Sequence, residues 1–306
     1  MNKLTKLSRR QMLKQTGSVL LTAPLFSLLA CNDGSSTDET DTTSSSDATD
    51  STTDSDTTDT TSDSDNDSTT DSATIEWASG GTELILVDYP GDSLFASAAV
   101  CSLSLTEATT EGPCYFGVSQ TEDIAAGRSG LPMMLCLQLV DRDCNPLQGY
   151  LIEVWHCDSD GVYSGDTSES DDVSTFAGNF CTGGDAAAEA STWFRGELTT
   201  DSSGRVNFKS CFPGWYRGRT IHIHFRVRLE YGGSDYVVSQ FCFDDDFAQE
   251  ICTTHDYYAD RGVQDTPLSS GGDTVFPTTG YSDYILNIEQ NRDGSLLAYK
   301  RIMIDL

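Results

Sequence analysis

The sequence predicts an all-β fold, a β-sandwich with long irregular loops, preceded by a disordered acidic tether. Two observations predict the sandwich. Short apolar runs rich in β-branched and aromatic residues recur along residues 76–306, with Gly, Asn, Asp and Ser between them, and no segment carries a sustained helical period. The tether is predicted by residues 32–75, which are almost entirely Ser, Thr and Asp. Such a run cannot bury enough apolar surface to offset its ordering entropy.

The predicted strands come in neighbouring pairs separated by turn sequences. Residues 144–149 join the first pair, and the turns 201–204, 231–234 and 291–294 predict hairpins. The strands are expected at 133–141, 150–156, 197–200, 205–208, 221–230, 235–243, 284–290 and 296–304. Two longer stretches rich in Gly, Asp and Ser, which we expect to be lids or surface loops, are 164–193 and 244–283.

Residues 1–31 predict an export signal. Arg9 and Arg10 precede the apolar stretch 18–30, which is too short to span a bilayer as a permanent helix. The stretch then closes on Leu-Leu-Ala-Cys31, which resembles a bacterial lipobox with Cys31 as the lipidated residue. The alternative is an ordinary signal peptide in which this cysteine is incidental. We therefore expect an exported protein of the cell envelope, lipid-anchored to the membrane in the periplasm or at the cell surface.

The negative charge of the chain has two sources. Residues 32–75 hold 13 of the 48 acidic residues, whose repulsion extends the tether. A calcium site there is the weaker alternative, because the aspartates are irregularly spaced. The domain 76–306 keeps 35 acidic residues (48 less 13) and 13 basic ones (18 less five in the signal), a net charge of −22. This charge argues against a nucleic-acid partner.

Nine cysteines remain after Cys31, and none forms a Cys-x-x-Cys signature of a zinc or redox site. Disulfides are the default in an exported protein, so we expect four bridges and one remaining thiol. Sequence alone does not establish connectivity. Closeness along the chain suggests three pairs, Cys101–Cys114, Cys144–Cys157 and Cys242–Cys252.

The segment Phe212–His224 concentrates the polar chemistry of the chain. The alternation His-Ile-His at 222–224 predicts a strand that presents both imidazoles on one face. Tyr216, Arg217 and Arg219 lie on the preceding turn. Two of the four histidines of the protein, converging on one point, predict a metal site or a catalytic pair. The alternative is that both are structural residues of a strand.

With four other stretches, this segment resembles the intradiol ring-cleavage dioxygenases, non-haem ferric enzymes that open catechols between the two hydroxylated carbons. The wording Trp-His-Cys-Asp at 155–158 is most similar to the exported, single-domain branch. The helical N-terminal segment through which cytoplasmic catechol dioxygenases dimerise is absent, so no oligomeric state is implied. The resemblance covers about Cys101 to Phe243, and its other stretches are Thr110–Tyr115, Val154–Ser164, Arg195-Gly196 and Thr200–Gly204.

The resemblance implies the ligands of a non-haem Fe(III) ion, namely Tyr163, Tyr216, His222 and His224. Two phenolates and two neutral imidazoles suit a hard cation and leave positions open for substrate. The resemblance also implies that Tyr216 leaves the metal and acts as a base, that Arg219 stabilises negative charge on the ring, and that Gln240 lies in the pocket. A catechol and O2 would give a cis,cis-muconate.

Two other functions are weaker alternatives. A non-catalytic cell-surface binding module could use the same β-sandwich, but the intact ligand set and Arg219 favour an enzyme. A zinc or copper hydrolase could use the same histidines, but two tyrosinates are a poor set for zinc. The remaining conspicuous residues are expected in ordinary places: Trp155 and Trp215 in packing, His156 in a structural or supporting role, and His255 and Arg217 at the surface.

Overall fold

Two four-stranded sheets pack face to face in the computed structural model, which describes residues 75–96, 105–170 and 172–306. The predicted all-β sandwich is confirmed. The predicted signal with Cys31, the tether up to residue 74, and Cys101 lie outside the described residues. The strands are β1 (Pro132–Val140), β2 (Leu151–Trp155), β3 (Arg195–Thr199), β4 (Arg205–Cys211), β5 (His222–Arg228), β6 (Asp235–Cys242), β7 (Asn287–Gln290) and β8 (Leu296–Met303).

The first sheet has the strand order β4-β1-β8-β7 and the second has the order β3-β2-β5-β6. The turns 231–234 and 291–294 join antiparallel neighbours, β5 with β6 and β7 with β8, as predicted. The prediction of a hairpin at 201–204 is wrong, because β3 and β4 belong to different sheets. The turn 144–149 also crosses between sheets. Local turn chemistry reverses the chain at both places, but it does not decide which sheet the next strand joins.

Three short α-helices interrupt the loops: α1 (Asn179–Thr182), α2 (Ala186–Glu189) and α3 (Asp245–Thr254). Single 3₁₀ turns occupy Thr82–Leu84, Asp92–Phe95, Thr167–Glu169, Leu268–Ser270 and Tyr281–Tyr284. Within the described part of the chain, no helix is both long and apolar enough to cross a membrane.

Helix α3 corrects the expectation that 244–283 is wholly irregular. The Asp244 carboxylate caps its first turn by accepting hydrogen bonds from two backbone amides. Phe247 and Ile251, one turn apart, are buried against the core. His255, expected at the surface, follows this helix and is buried, with Nε2 3.0 Å from the carbonyl oxygen of Ala78. The segment around Ala78, at the start of the domain, covers this histidine. The local sequence gives no sign of that contact.

The hydrophobic core fills the space between the sheets. Strand β5 contributes Ile223, Phe225 and Val227 to it, as its alternation requires. The opposite face of the second sheet, here called the outer face, is polar but also buried, because residues 109–120 cross over it. Strand β5 therefore has every residue buried, on both faces.

The three disulfides suggested by closeness in the sequence are wrong. Cys114 pairs with Cys181, 67 residues away. Cys144 is also disulfide-bonded, whereas Cys157 is a free thiol. Cys242 and Cys252 are free because they pack in different hydrophobic clusters. Five buried thiols are free among the described cysteines, where one was expected.

Candidate active site

Two tightly packed loops bring Tyr163 and Tyr216 side by side, with ring centroids 5.9 Å apart. Gly161 has φ +77°, and a Cβ there would lie 2.2 Å from the carbonyl oxygen of Trp215. A Cβ on Gly214 would lie 2.1 Å from a carbonyl oxygen of the facing loop. Only glycine allows backbones to approach so closely. The two glycines therefore let a loop after β2 and a loop before β5 present their tyrosines together.

Strand β5 presents His222 and His224 on the outer face. His222 Nδ1 lies 2.6 Å from the carbonyl oxygen of Thr220, which can only accept, so Nδ1 carries the proton and Nε2 has a free lone pair. The His224 ring stacks on Trp155, with centroids 4.9 Å apart and planes 11° apart. Gly112 closes the other side, since a Cβ there would be 3.2 Å from His224 Cε1. Both imidazoles are thus held in fixed orientations.

The four side chains predicted as ligands converge on one point. His222 Nε2 lies 3.1 Å from His224 Nε2, 3.1 Å from Tyr216 Oη and 3.3 Å from Tyr163 Oη. In the described residues no group of three or more His, Cys, Asp or Glu side chains is placed to hold a metal. Any metal at this point would therefore depend on the two phenols as well as the two imidazoles.

Burial keeps all four donors neutral in the absence of a cation. Burial, with a smaller effect of the Arg219 guanidinium, lowers the pKa of His222 to about 3, and burial holds the pKa of His224 well below its usual range. Burial also raises the pKa of Tyr163 and of Tyr216, although Arg219 opposes the rise at Tyr216. A bound cation would reverse the preference of the phenols and deprotonate them.

These residues fit a ferric ion. Two neutral imidazole nitrogens and two phenol oxygens form a mixed nitrogen and oxygen set that suits a hard cation. The geometry also leaves a polar group unmatched, because the buried Nδ1 of His224 has no hydrogen-bond partner among the described residues.

Arg219 is fixed beside the converging donors by three contacts. Its Nε donates to Asp273 Oδ2 at 3.0 Å, and its Nη2 donates to Gln240 Oε1. Gln240 is in turn held by the carbonyl oxygen of Thr110. The remaining nitrogen, Nη1, lies 3.5 Å from Tyr216 Oη. Arg219 and Gln240 therefore lie in one hydrogen-bonded arrangement beside the converging donors.

The other conspicuous residues lie outside the converging set. His156 is buried with both ring nitrogens occupied, by the carbonyl oxygen of Cys157 and by Ser210 Oγ. Trp215 donates its indole N–H to the carbonyl oxygen of Gly262 and packs against the core. Arg217 is exposed. Each of these residues is placed as the sequence suggested.

Sequence reasoning missed Asp273 and the buried ion pairs on the outer face. The Asp273 carboxylate binds both Arg219 Nε and the Thr220 amide, but it lies in a Gly-rich loop 54 residues from Arg219, with no local signal. Arg228 forms buried ion pairs with Glu153 and Glu197. For this pairing a signal existed: Glu153 is a lone acidic residue within the apolar run of β2.

A cavity of about 220 Å³ opens beside the two phenols. Tyr163 and Tyr216 form part of its wall, and the Cys114–Cys181 disulfide forms another part. This cavity therefore lies against two of the four converging residues.

Comparison with known proteins points to one family. Residues 112–261 match the Dioxygenase_C family model, described as a dioxygenase. An intradiol ring-cleavage dioxygenase from Tetranychus urticae is similar in structure, with a TM-score of 0.53 and 28% sequence identity over 66% of this chain and 95% of that chain. A second dioxygenase crystal structure matches with a TM-score of 0.53 and 26% identity over 66% and 94% of the two chains. None of the curated proteins matches the sequence. The matched part of the chain, residues 112–261, carries the sequence pattern of the dioxygenase family, and its structure is similar to that of intradiol ring-cleavage dioxygenases.

Proposed function

We propose that this protein is a non-haem Fe(III) dioxygenase that cleaves catechol-type aromatics with O2 between the two hydroxylated carbons, giving products of the cis,cis-muconate type. The observation that carries the proposal is the convergence of Tyr163 Oη, Tyr216 Oη and His224 Nε2 on His222 Nε2, all within 3.3 Å. The match to the dioxygenase family model supports the same class of reaction.

The ferric ion would be held by the two phenol oxygens and the two Nε2 atoms. When bound, it accepts the catechol oxygens and withdraws electron density, so that the ring can react with O2. The hydrogen bond from His222 Nδ1 to the carbonyl oxygen of Thr220 and the stacking of His224 on Trp155 orient the imidazoles for this purpose.

Tyr216 is the residue we assign to the protons of the substrate. It lines the cavity and is less buried than Tyr163, so it is the phenol that substrate reaches more easily. Its Oη lies at the point of convergence, 3.1 Å from His222 Nε2, where its phenolate could act as a base towards a catechol hydroxyl. The proton would pass from that hydroxyl to Tyr216 Oη. Tyr163, which is almost fully buried, would remain in place.

Arg219 is assigned to stabilise negative charge on the substrate. Its Nε and Nη2 are occupied by Asp273 and Gln240, and its Nη1 faces the donors. A guanidinium held in this way need not reorganise as charge develops on the ring and its oxygens, which is the condition for efficient electrostatic stabilisation. Gln240 acts through Arg219 and is a positioning residue.

The test is spectroscopic and chemical. The iron-loaded protein should be red to burgundy from tyrosinate-to-iron charge transfer. It should consume one O2 per molecule of substrate in a panel of catechol, protocatechuate, hydroxyquinol and caffeate. With ¹⁸O2, both labelled atoms should appear in the ring-opened product. A colourless iron-loaded protein that consumes no O2 with any member of the panel would contradict the proposal.

We also propose that Cys31 carries a lipid anchor behind a twin-arginine signal, on the sequence evidence of Arg9, Arg10 and the lipobox-like segment. The change Cys31→Ser should move the protein from the membrane fraction to the soluble fraction. The specific activity should not change, because more than forty residues separate this cysteine from the domain. A variant that stayed in the membrane fraction would exclude the anchor.

A further inference from the structure

The cavity beside the phenols is lined by both apolar and charged residues that the reaction itself does not require. Tyr163 and Tyr216, two of the proposed iron ligands, line it. None of the described residues that line it carries a carboxylate. A catechol held at the phenols can extend the far edge of its ring into this space. The rest of the lining comes from Cys114, Gly161, Phe180, Cys181 and Arg217.

Arg217 is the only cation among the described residues that line this cavity. It is exposed and forms no ion pair with any described carboxylate. Six other described arginines are each paired with Asp or Glu, whereas Arg217 is among those that form no such pair. An uncompensated cation beside a cavity attracts anions locally, even where the domain as a whole repels them. The paired arginines are Arg128, Arg142, Arg205, Arg219, Arg226 and Arg228.

Phe180 adds an apolar surface to the same wall. Its side chain is 70% exposed, although it lies on a helix, α1, that is firmly held. The next residue, Cys181, is bonded to Cys114, and its carbonyl oxygen accepts a hydrogen bond from the Tyr163 amide at 2.9 Å. A large exposed aromatic ring on a fixed backbone can pack against a ligand with little loss of entropy.

We propose that this cavity is a specificity subsite for the side chain of an anionic catechol, one that carries a short carboxylate-bearing chain on the ring. Phe180 packs against the apolar part of that chain, and the Arg217 guanidinium pairs with its carboxylate, a group that matches its planar donors. This inference rests on the proposed function and names the substrate class.

The experiment compares a matched pair of substrates, 3-(3,4-dihydroxyphenyl)propanoate and the neutral 4-ethylcatechol. Initial O2 uptake gives kcat/KM for the iron-loaded wild type, Arg217→Gln and Phe180→Ala. Arg292→Gln is the control, because Arg292 is also exposed and unpaired among the described residues but lies in the β7–β8 turn. Calorimetry under argon measures the affinity for each compound without turnover.

The wild type should prefer the anionic compound. Arg217→Gln should lower that preference about tenfold, which corresponds to about 1.4 kcal/mol. The preference should also weaken in high salt. Phe180→Ala should weaken binding of both compounds relative to unsubstituted catechol, and Arg292→Gln should change neither ratio. Turnover with a preference that is independent of Arg217 overturns the subsite. Arg217-dependent binding without turnover of any catechol would instead overturn the proposed function and leave the subsite standing.

Discussion

Strand β5 carries a row of four polar residues on its outer face, which are His222, His224, Arg226 and Arg228. The two ends of this polar row are equally buried, but their charges are matched differently. Arg226 and Arg228, at one end, pair with five carboxylates from the surrounding elements. At the other end, His222 and His224 have no carboxylate within ion-pair distance in the described parts of the chain. Their polar neighbours are the phenols and the Arg219 guanidinium. The five carboxylates belong to Glu111, Glu153, Asp172, Glu197 and Asp235.

This difference in charge matching distinguishes a structural end of the strand from the end that forms the candidate active site. A buried cation is costly unless it is paired or hydrogen-bonded, and the arginine end satisfies this condition with ion pairs that link β2, β3 and β5. The histidine end collects four groups with lone pairs beside one guanidinium, and such a mixed nitrogen and oxygen set is suited to binding a metal ion. Exposure alone would not distinguish the ends, since all four side chains are between 2% and 4% exposed.

The largest effect should come from removing both phenol oxygens at the histidine end. The double variant Tyr163→Phe with Tyr216→Phe should abolish the visible band and iron retention, and each single variant should shift or weaken the band. The fold should survive because the rings remain, with a loss of roughly 1 kcal/mol for each hydrogen bond. Absorption spectra, iron content and urea unfolding provide the measurements.

The matched control is Tyr115→Phe, a buried phenol at the arginine end that contacts Glu153. It should keep its colour. A double variant at the histidine end that kept full colour would mean that the ligands lie elsewhere.

Removing an arginine at the arginine end should lower the free energy of unfolding and leave the reaction itself unaffected. Arg228→Met leaves the Glu153 and Glu197 carboxylates buried without their shared cation, so the free energy of unfolding should fall by about 3–5 kcal/mol. Adding Glu153→Gln and Glu197→Gln should restore part of it. Urea unfolding of the metal-free protein measures both changes. A fall below about 1 kcal/mol would show that the pairs are not structural.

A change at Arg219 tests the histidine end without altering any of the four donor side chains. Arg219→Ala should keep iron and colour but lower turnover by about 10²–10³, the usual cost of losing one charge-stabilising group. Asp273→Asn, which loosens the guanidinium instead of removing it, should have a smaller effect on turnover. Oxygen uptake at saturating substrate measures both variants. Unchanged turnover in Arg219→Ala would remove its assigned role.

The smallest effect concerns pH. Burial lowers the pKa of His222 to about 3 from an ordinary value near 6.5, so between these values the unfolded chain binds a proton that the folded one does not. This contribution to stability is therefore present above about pH 6.5 and is lost as the pH falls towards 3, by about 1.4 kcal/mol per pH unit. Urea unfolding of the metal-free protein between pH 6.5 and 5 measures the slope. His222→Asn should reduce it by that amount, and an equal slope in both proteins would contradict the assignment.

The sequence predicted the local parts of this molecule well. Alternation placed the imidazoles of His222 and His224 together on one face with Ile223 in the core, because side chains alternate along any strand. The turns 231–234 and 291–294 predicted hairpins correctly, since such turns bring adjacent segments together. The family resemblance, and not the local pattern, singled out Tyr163 among twelve tyrosines.

Other features were decided only by the tertiary structure. Strand β1 pairs in parallel with β8, more than 150 residues later, and β3 and β4 lie in different sheets despite a hairpin-like turn. The Cys114–Cys181 bond likewise joins loops that are distant in sequence. Alternation shows which side chains share a face, but not what covers that face or which distant group meets each charge. The carboxylates that pair with Arg228 and the phenols that contact His222 come from distant segments. The tertiary structure decides such contacts, because they depend on how the whole chain folds back on itself.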